Sequence, residues 1–134
     1  MSRNVPDMTA VRTLIAVVDD EPAIVRALAR LLRFANFDVA TFTSGATFLA
    51  SLDSAKPACV VLDVHMPGMG GLDVQAQLAA DTAHHVPVVM VTAQDSPSTQ
   101  QRAMEGGASA YLRKPMEATA LLDAIRSAIA KNQP

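Results

Sequence analysis

The sequence is short of aromatics, with no Trp, one Tyr and four Phe in 134 residues. Its core must therefore be filled by Val, Leu, Ile, Ala and Met. Half the residues are hydrophobic, which is enough to fill one. The lone Cys59 excludes an internal disulfide and a Cys-based zinc site. It lies in an apolar run and reads as a buried, inert thiol. Strong charge of either sign is also missing. A formal net charge of −2 leaves no basic footprint for direct nucleic-acid binding. No apolar stretch approaches the roughly 18 residues of a membrane span. The first dozen residues, MSRNVPDMTAVR, lack the apolar run of a signal peptide. The chain reads as soluble and cytoplasmic. Its length fits one domain over residues 13–131, with a flexible segment at 1–12 and a tail at 132–134.

Three short apolar runs are present: Leu14–Val18 (LIAVV), residues 58–62 (ACVVL) and residues 86–91 (VPVVMV). Continuous apolarity in runs too short for a helix suits strands buried on both faces of a parallel sheet. Residues 37–42 (FDVATF) read as an edge strand, and residues 110–112 as a short last strand. Pro87 is tolerable near a strand start. Helical patterns fill the gaps. Pro22–Phe34 opens on a proline in its first turn, with Ile24, Leu28, Leu31 and Ala35 recurring on one face. Ser44 is placed to cap residues 45–52, whose apolar face is Phe48, Leu49 and Leu52. Gly71–Ala80 carries Leu72, Ala76, Leu78 and Ala79. Residues 116–130 carry Ala118, Leu121, Leu122, Ile125 and Ile129. Pro97–Glu105 is the poorest helix, with Ala103 and Met104 as its apolar residues, and Gly106–Gly107 offer a left-handed cap. Strand and helix thus alternate five times. This predicts a doubly wound, flavodoxin-like α/β sandwich, with five parallel strands in the order 2-1-3-4-5 and five helices.

In such sheets ligands sit at the carboxyl ends of the strands. The first strand ends on Asp19-Asp20, the third on Asp63, the fourth on Thr92 and the fifth on Lys114-Pro115. One Asp after a strand is commonly only a turn or cap residue. Four polar ends on neighbouring strands are harder to treat as separate accidents. Three carboxylates at one place repel each other and call for a cation. All-oxygen donors favour Mg²⁺ over zinc. With Lys114 opposite and Thr92 able to donate a hydrogen bond, the site suits a dianionic phosphoryl group. Asp63, the carboxylate outside the doublet, is the candidate nucleophile.

These residues lie in four motifs: VVDDEPAI at 17–24, VVLDVHMPGMGGLD at 60–73, VTA at 91–93 and GGASAYLRKP at 106–115. In this order and spacing the chain resembles the response-regulator receiver domains of two-component signalling, from about residue 13 to residue 130. The resemblance implies that Asp63 is the phosphoacceptor and that a phosphohistidine on a histidine kinase or phosphotransfer protein is the donor. Asp20 would bind Mg²⁺ directly, Asp19 through water, and His65 through its backbone carbonyl. Thr92 would move toward the phosphoryl group and Lys114 would pair with it. Tyr111 holds the family's rotating aromatic position, its alternative being a half-buried strand residue with no switching role. The Lys114-Pro115 bond resembles one that is commonly cis in the family. Phosphorylation would then reshape the face of helix 4, strand 5 and helix 5, where a partner or a second copy would bind. FTSGATFL and VLDVHMPGM resemble receivers that precede helix-turn-helix output domains. The chain would be either a stand-alone receiver or one part of a longer regulator.

His65 and Gln94 depart from the commonest residues at their positions. In the family these side chains tune hydrolysis by steering water. His65 reads as a solvent-facing residue at the rim, with water positioning or proton handling as the alternative. His84-His85 reads as surface. Chemistry beyond self-phosphorylation and self-dephosphorylation is not expected. Three rivals share the fold. A Mg²⁺-dependent aspartyl-phosphate phosphatase would want an acid where His65 stands. A flavin binder would want a hydroxyl- and glycine-rich loop where this chain has DDEPA. A receiver-like binding module that is never phosphorylated would not need the complete site.

Overall fold

The computed structural model describes residues 12–132; the expected flexible segment, apart from Arg12, and the last two residues of the tail lie outside it. Five strands alternate with five helices. They are β1 (Leu14–Val18), α1 (Pro22–Phe34), β2 (Asp38–Phe42), α2 (Gly45–Ala50), β3 (Cys59–Asp63), α3 (Gly71–Ala80), β4 (Val88–Thr92), α4 (Pro97–Glu105), β5 (Ala110–Arg113) and α5 (Ala118–Asn132). The sheet is parallel throughout, in the order β2-β1-β3-β4-β5. β3 and β4 are buried along their whole length, as continuous apolar runs require.

Alternation along the strands sorts the core into two layers. Ala16, Val18, Val60, Leu62, Val88 and Met90 face Phe48, Val74 and Ala103 of α2, α3 and α4. Ile15, Val17, Val61, Val89 and Val91 face Leu28 and Leu32 of α1 and Leu121 and Ile125 of α5. Cys59 belongs to this second layer, and burial pushes its thiol up to about 12, so it stays protonated and inert.

The helix faces differ in detail from the sequence expectation. α1 buries Val25, Leu28, Ala29 and Leu32, while Ile24, Leu31 and Ala35 sit half-buried at its margin. α3 buries Gly71, Val74, Gln75 and Leu78, and Ala76 and Ala79 are exposed. In both, β-branched Val marks the core stripe, and Ala is a poor guide because it is at home on either side of a helix. α5 buries Leu121, Ile125 and Ala128 but exposes Ala118, and it begins two residues later than expected. α2 stops at Ala50, though Leu52 beyond it is buried. β4 starts after Pro87, whose carbonyl still accepts from the Val60 N–H at 3.0 Å. β3 is shifted one residue toward Asp63.

The caps follow local chemistry. The Ser44 and Ser96 hydroxyls accept from the N–H groups of Thr47 and Thr99, closing the first turns of α2 and α4. Gly107, at φ 101°, ends α4 alone, since Gly106 stays right-handed. Its N–H donates to Met104 and that of Ala108 to Ala103, the paired bonds of a left-handed helix stop. Asn36 does the same for α1 at φ 73°.

Candidate functional site

The carboxyl edge of the sheet brings together what the sequence placed there. Asp19 follows β1 and is 1% exposed; Asp63 ends β3 and is 4% exposed. Oxygens of Asp19, Asp20 and Asp63 all lie within 4.8 Å of one another. Hard carboxylate oxygens at this spacing fit a Mg²⁺ ion, and among the described residues this is the only group of three or more His, Cys, Asp or Glu side chains so placed.

Lys114 reaches into the cluster from the end of β5. Its Nζ lies 2.6 Å from Asp19 Oδ2 and 3.5 Å from Asp63 Oδ1. The Lys114-Pro115 peptide is cis. Burial disfavours the charged lysine, but its contacts with Asp19 and Asp63 outweigh that and raise its pKa. The Asp63 carboxyl is pushed up to about 6. Burial is the largest cause and repulsion from Asp19 adds to it, while Lys114 and the His65 N–H pull the other way. Asp63 is thus ionised at neutral pH, yet more basic than an ordinary carboxylate.

The loop after β3 is shaped by close packing. Gly71, at the start of α3, sits so near the Asp63 carbonyl that a Cβ there would collide with it, and would lie 2.9 Å from Val64 Cα. The Gly71 N–H donates to the Val64 carbonyl at 2.8 Å, and the His65 N–H turns back to Asp63 Oδ1 at 3.4 Å.

Thr92 is fully buried, and its hydroxyl points along its own loop rather than at Asp63. It donates to the Gln94 carbonyl at 3.0 Å and accepts from the Gln94 N–H at 3.1 Å. His65 is exposed, as expected of a rim residue, but its Nε2 lies 3.3 Å from the same Gln94 carbonyl. The backbone of Gln94, rather than its side chain, therefore joins the β3–α3 and β4–α4 loops.

Tyr111 packs its ring partly into the α2–α4 side of the core, and its hydroxyl donates to Asp95 Oδ1 at 2.9 Å. Burial and this bond to Asp95 raise its pKa. Three contacts went unforeseen in the sequence. Asp95 is one. Another is Gln75, which is buried and donates from Nε2 to the Ala103 carbonyl at 2.8 Å, tying α3 to the end of α4. The third corrects the reading of His84 as surface. His84 is half-buried and lies between Asp81, at 2.8 Å, and Asp53, at 3.0 Å. The Asp81 carboxyl is lowered by that contact.

Residues 15–126 match the response regulator receiver domain family. The DNA-binding response regulator MtrA of Mycolicibacterium smegmatis is 35% identical over 94% of this chain and 54% of its own length. The sensory transduction protein RegX3 of Mycobacterium bovis is 40% identical over 87% of this chain and 51% of its own. The chain thus spans about half the length of these relatives. Among solved structures, the response regulator StyR superposes with a TM-score of 0.78 at 39% identity, over 91% of this chain and 61% of that one. FixJ-N gives 0.84 at 27% identity, over 93% and 99%. Their agreement over nearly the whole described chain places this protein in the response regulator receiver domain family.

Proposed function

We propose that the chain is a phosphoacceptor switch of a two-component relay in which Asp63 takes a phosphoryl group from a phosphohistidine. The observation that carries this reading is the convergence of Asp19, Asp20 and Asp63 with Lys114 at one edge of the sheet. A carboxylate oxygen of Asp63 attacks phosphorus, the phosphorus–nitrogen bond to the donor imidazole breaks, and an acyl phosphate forms. The raised pKa of Asp63 still leaves it ionised at neutral pH and makes it a stronger nucleophile than an ordinary carboxylate. Lys114, already 3.5 Å from Asp63, pairs with a phosphoryl oxygen. The residues that would hold Mg²⁺ are Asp20 and Asp63, the His65 carbonyl, and Asp19 through water. When bound, the ion supplies charge neutralisation at the phosphoryl oxygens.

Thr92 and Tyr111 carry the switch in this reading. A phosphoryl oxygen competes with the Gln94 carbonyl for the Thr92 hydroxyl. That exchange biases the face formed by α4, β5 and α5, where a partner or a second copy of the chain docks. α4 suits this role, because Ala103 is its single buried residue. His65 and Gln94 set the lifetime of the acyl phosphate. The donor is a histidine kinase or phosphotransfer protein. Among the described residues no helix is long and apolar enough to cross a membrane. The domain spans residues 13–131 and works in the cytoplasm, either alone or attached to an output domain that supplies any DNA contact.

The test is intact mass after incubation with Mg²⁺ and acetyl phosphate or phosphoramidate. A gain of one phosphate, absent in Asp63→Asn and abolished by chelating the metal, supports the reading. No gain with several donors refutes it.

A further inference from the structure

β4 and β5 alternate in register, with Met90 opposite Tyr111 and Thr92 opposite Arg113. Met90 faces α2–α4, so Tyr111, Thr92 and Arg113 share that side of the sheet. One residue of the β4–α4 loop reaches across to this row. Asp95 Oδ1 accepts the Tyr111 hydroxyl at 2.9 Å, and Asp95 Oδ2 lies 3.5 Å from Arg113 Nη1. The ring of Tyr111 packs against buried core, while its hydroxyl end is held at the surface. Asp95 stands three residues after Thr92, whose hydroxyl fixes the same loop through Gln94. A single short loop therefore senses Thr92 at one end and holds Tyr111 at the other.

We infer that Asp95 is a catch: with Arg113 behind it, it pins Tyr111 outward and biases the domain toward its unphosphorylated state. The inference deepens the proposed function and rests on Asp63 being the phosphoacceptor. The direction follows from linkage. A contact made in one of two states favours that state, and its removal raises the apparent affinity of any ligand that prefers the other. A partly exposed, charge-assisted bond of this kind is worth about a three- to tenfold bias. Burial first, and then the bond to Asp95, raise the Tyr111 pKa, so the phenol keeps its proton and stays a donor to the carboxylate. Arg113 leaves the carboxylate partly neutralised, so the catch holds without leaving a bare charge beside the phenol.

The composition supplies the probe. Tyr111 is the one tyrosine and there is no Trp, so tyrosine emission reports this ring alone. A carboxylate that accepts the phenol's hydrogen bond quenches that emission. The 134-residue parent, Asp95→Ala and Tyr111→Phe are titrated with beryllofluoride in the presence of Mg²⁺, with binding followed by fluorine NMR. Asp95→Ala should emit more strongly than the parent before any addition. Its half-saturating beryllofluoride concentration should fall about three- to tenfold. Tyr111→Phe should show the same fall, and the double variant no further one. Unchanged half-saturation in both single variants overturns the catch, even if emission changes, because Asp95 is then a packing contact without bias. If the parent binds no beryllofluoride and takes no phosphate, the Asp63 reading fails instead. The catch, which rests on that reading, then falls with it; the two failures are told apart because in the other one the parent still binds beryllofluoride.

Discussion

Replacing Asp63 by Asn should stabilise the metal-free protein at neutral pH, although it removes the central residue of the site. Folding lifts the Asp63 carboxyl from its ordinary 3.8 to about 6, chiefly by burial and by repulsion from Asp19. A folded-state value above the unfolded one means that the folded protein holds the proton more tightly. Ionised Asp63 therefore opposes folding, by an amount that grows from near pH 4 to pH 6 and is constant above. Each pH unit of separation is worth about 1.36 kcal/mol, so the full cost is about 3 kcal/mol. The attraction to Lys114 is already contained in that balance. Asn gives back part of the gain, since its amide N–H groups enter a site where Lys114 and the His65 N–H already donate, at about 1 kcal/mol. The expected net is about 1–2 kcal/mol, or roughly 5 °C in Tm for a domain of this size. Thermal melts in chelator at pH 7.5 and pH 4 give the comparison. Asp63→Asn should melt higher at pH 7.5 and slightly below the parent at pH 4, where the electrostatic gain is gone and the amide cost remains. Added Mg²⁺ should raise the parent and narrow the gap, because a cation among the three carboxylates relieves the same repulsion. A variant that melts lower at pH 7.5, or gains equally at both pH values, would refute the electrostatic account.

Four further variants have expected outcomes. Lys114→Met strands Asp19 and Asp63 without their cation and should cost about 2–4 kcal/mol at pH 7 by urea melts; because the lysine's pKa is raised, its contribution in the parent is fully present at neutral pH and is lost only in strong alkali. Thr92→Val removes a fully buried hydroxyl, leaving the Gln94 N–H without its acceptor and the Gln94 carbonyl with His65 as its remaining contact, so stability should fall by about 1 kcal/mol. Phosphate uptake by intact mass should persist in that variant while the beryllofluoride response of Tyr111 emission disappears. Gly71→Ala forces a Cβ against the Asp63 carbonyl and should cost about 1–3 kcal/mol in chemical melts, with slower phosphate uptake. Gly68→Ala, left-handed but with open space around it, should cost only about 1 kcal/mol and leave uptake unchanged.

The sheet was legible because its signal is redundant. LIAVV, CVVL and VVMV each name a strand buried on both faces, and five alternations leave few arrangements open. Boundaries and faces were less legible where the residues are ambivalent. Ala76, Ala79 and Ala118 fit an apolar stripe on paper but are exposed, and Gln75 fits a polar face but is buried. Gln75 could not be foreseen, because what makes it safe inside is a carbonyl at the end of another helix, 28 positions away. His84 is similar: its neighbour Asp81 is close in sequence, but Asp53 belongs to a different turn.

The site divides along the same line. Asp19, Asp20, Asp63, Thr92 and Lys114 stand at strand ends, and a strand end is a position that topology fixes before any loop is known. What joins them to Tyr111 is loop geometry, and loops have no periodicity to read. Asp95 has the same residue type as Asp53 or Asp123, and in sequence it is only a polar residue before Ser96 and Pro97. Its role comes from the turn that Thr92 and Gln94 make together. That turn aims the Asp95 carboxylate at Tyr111 of β5, three residues before the lysine that faces Asp63. A sequence can thus declare where such a switch does its chemistry while staying silent on what holds the switch open, because the holding contact exists only once the loop has been built.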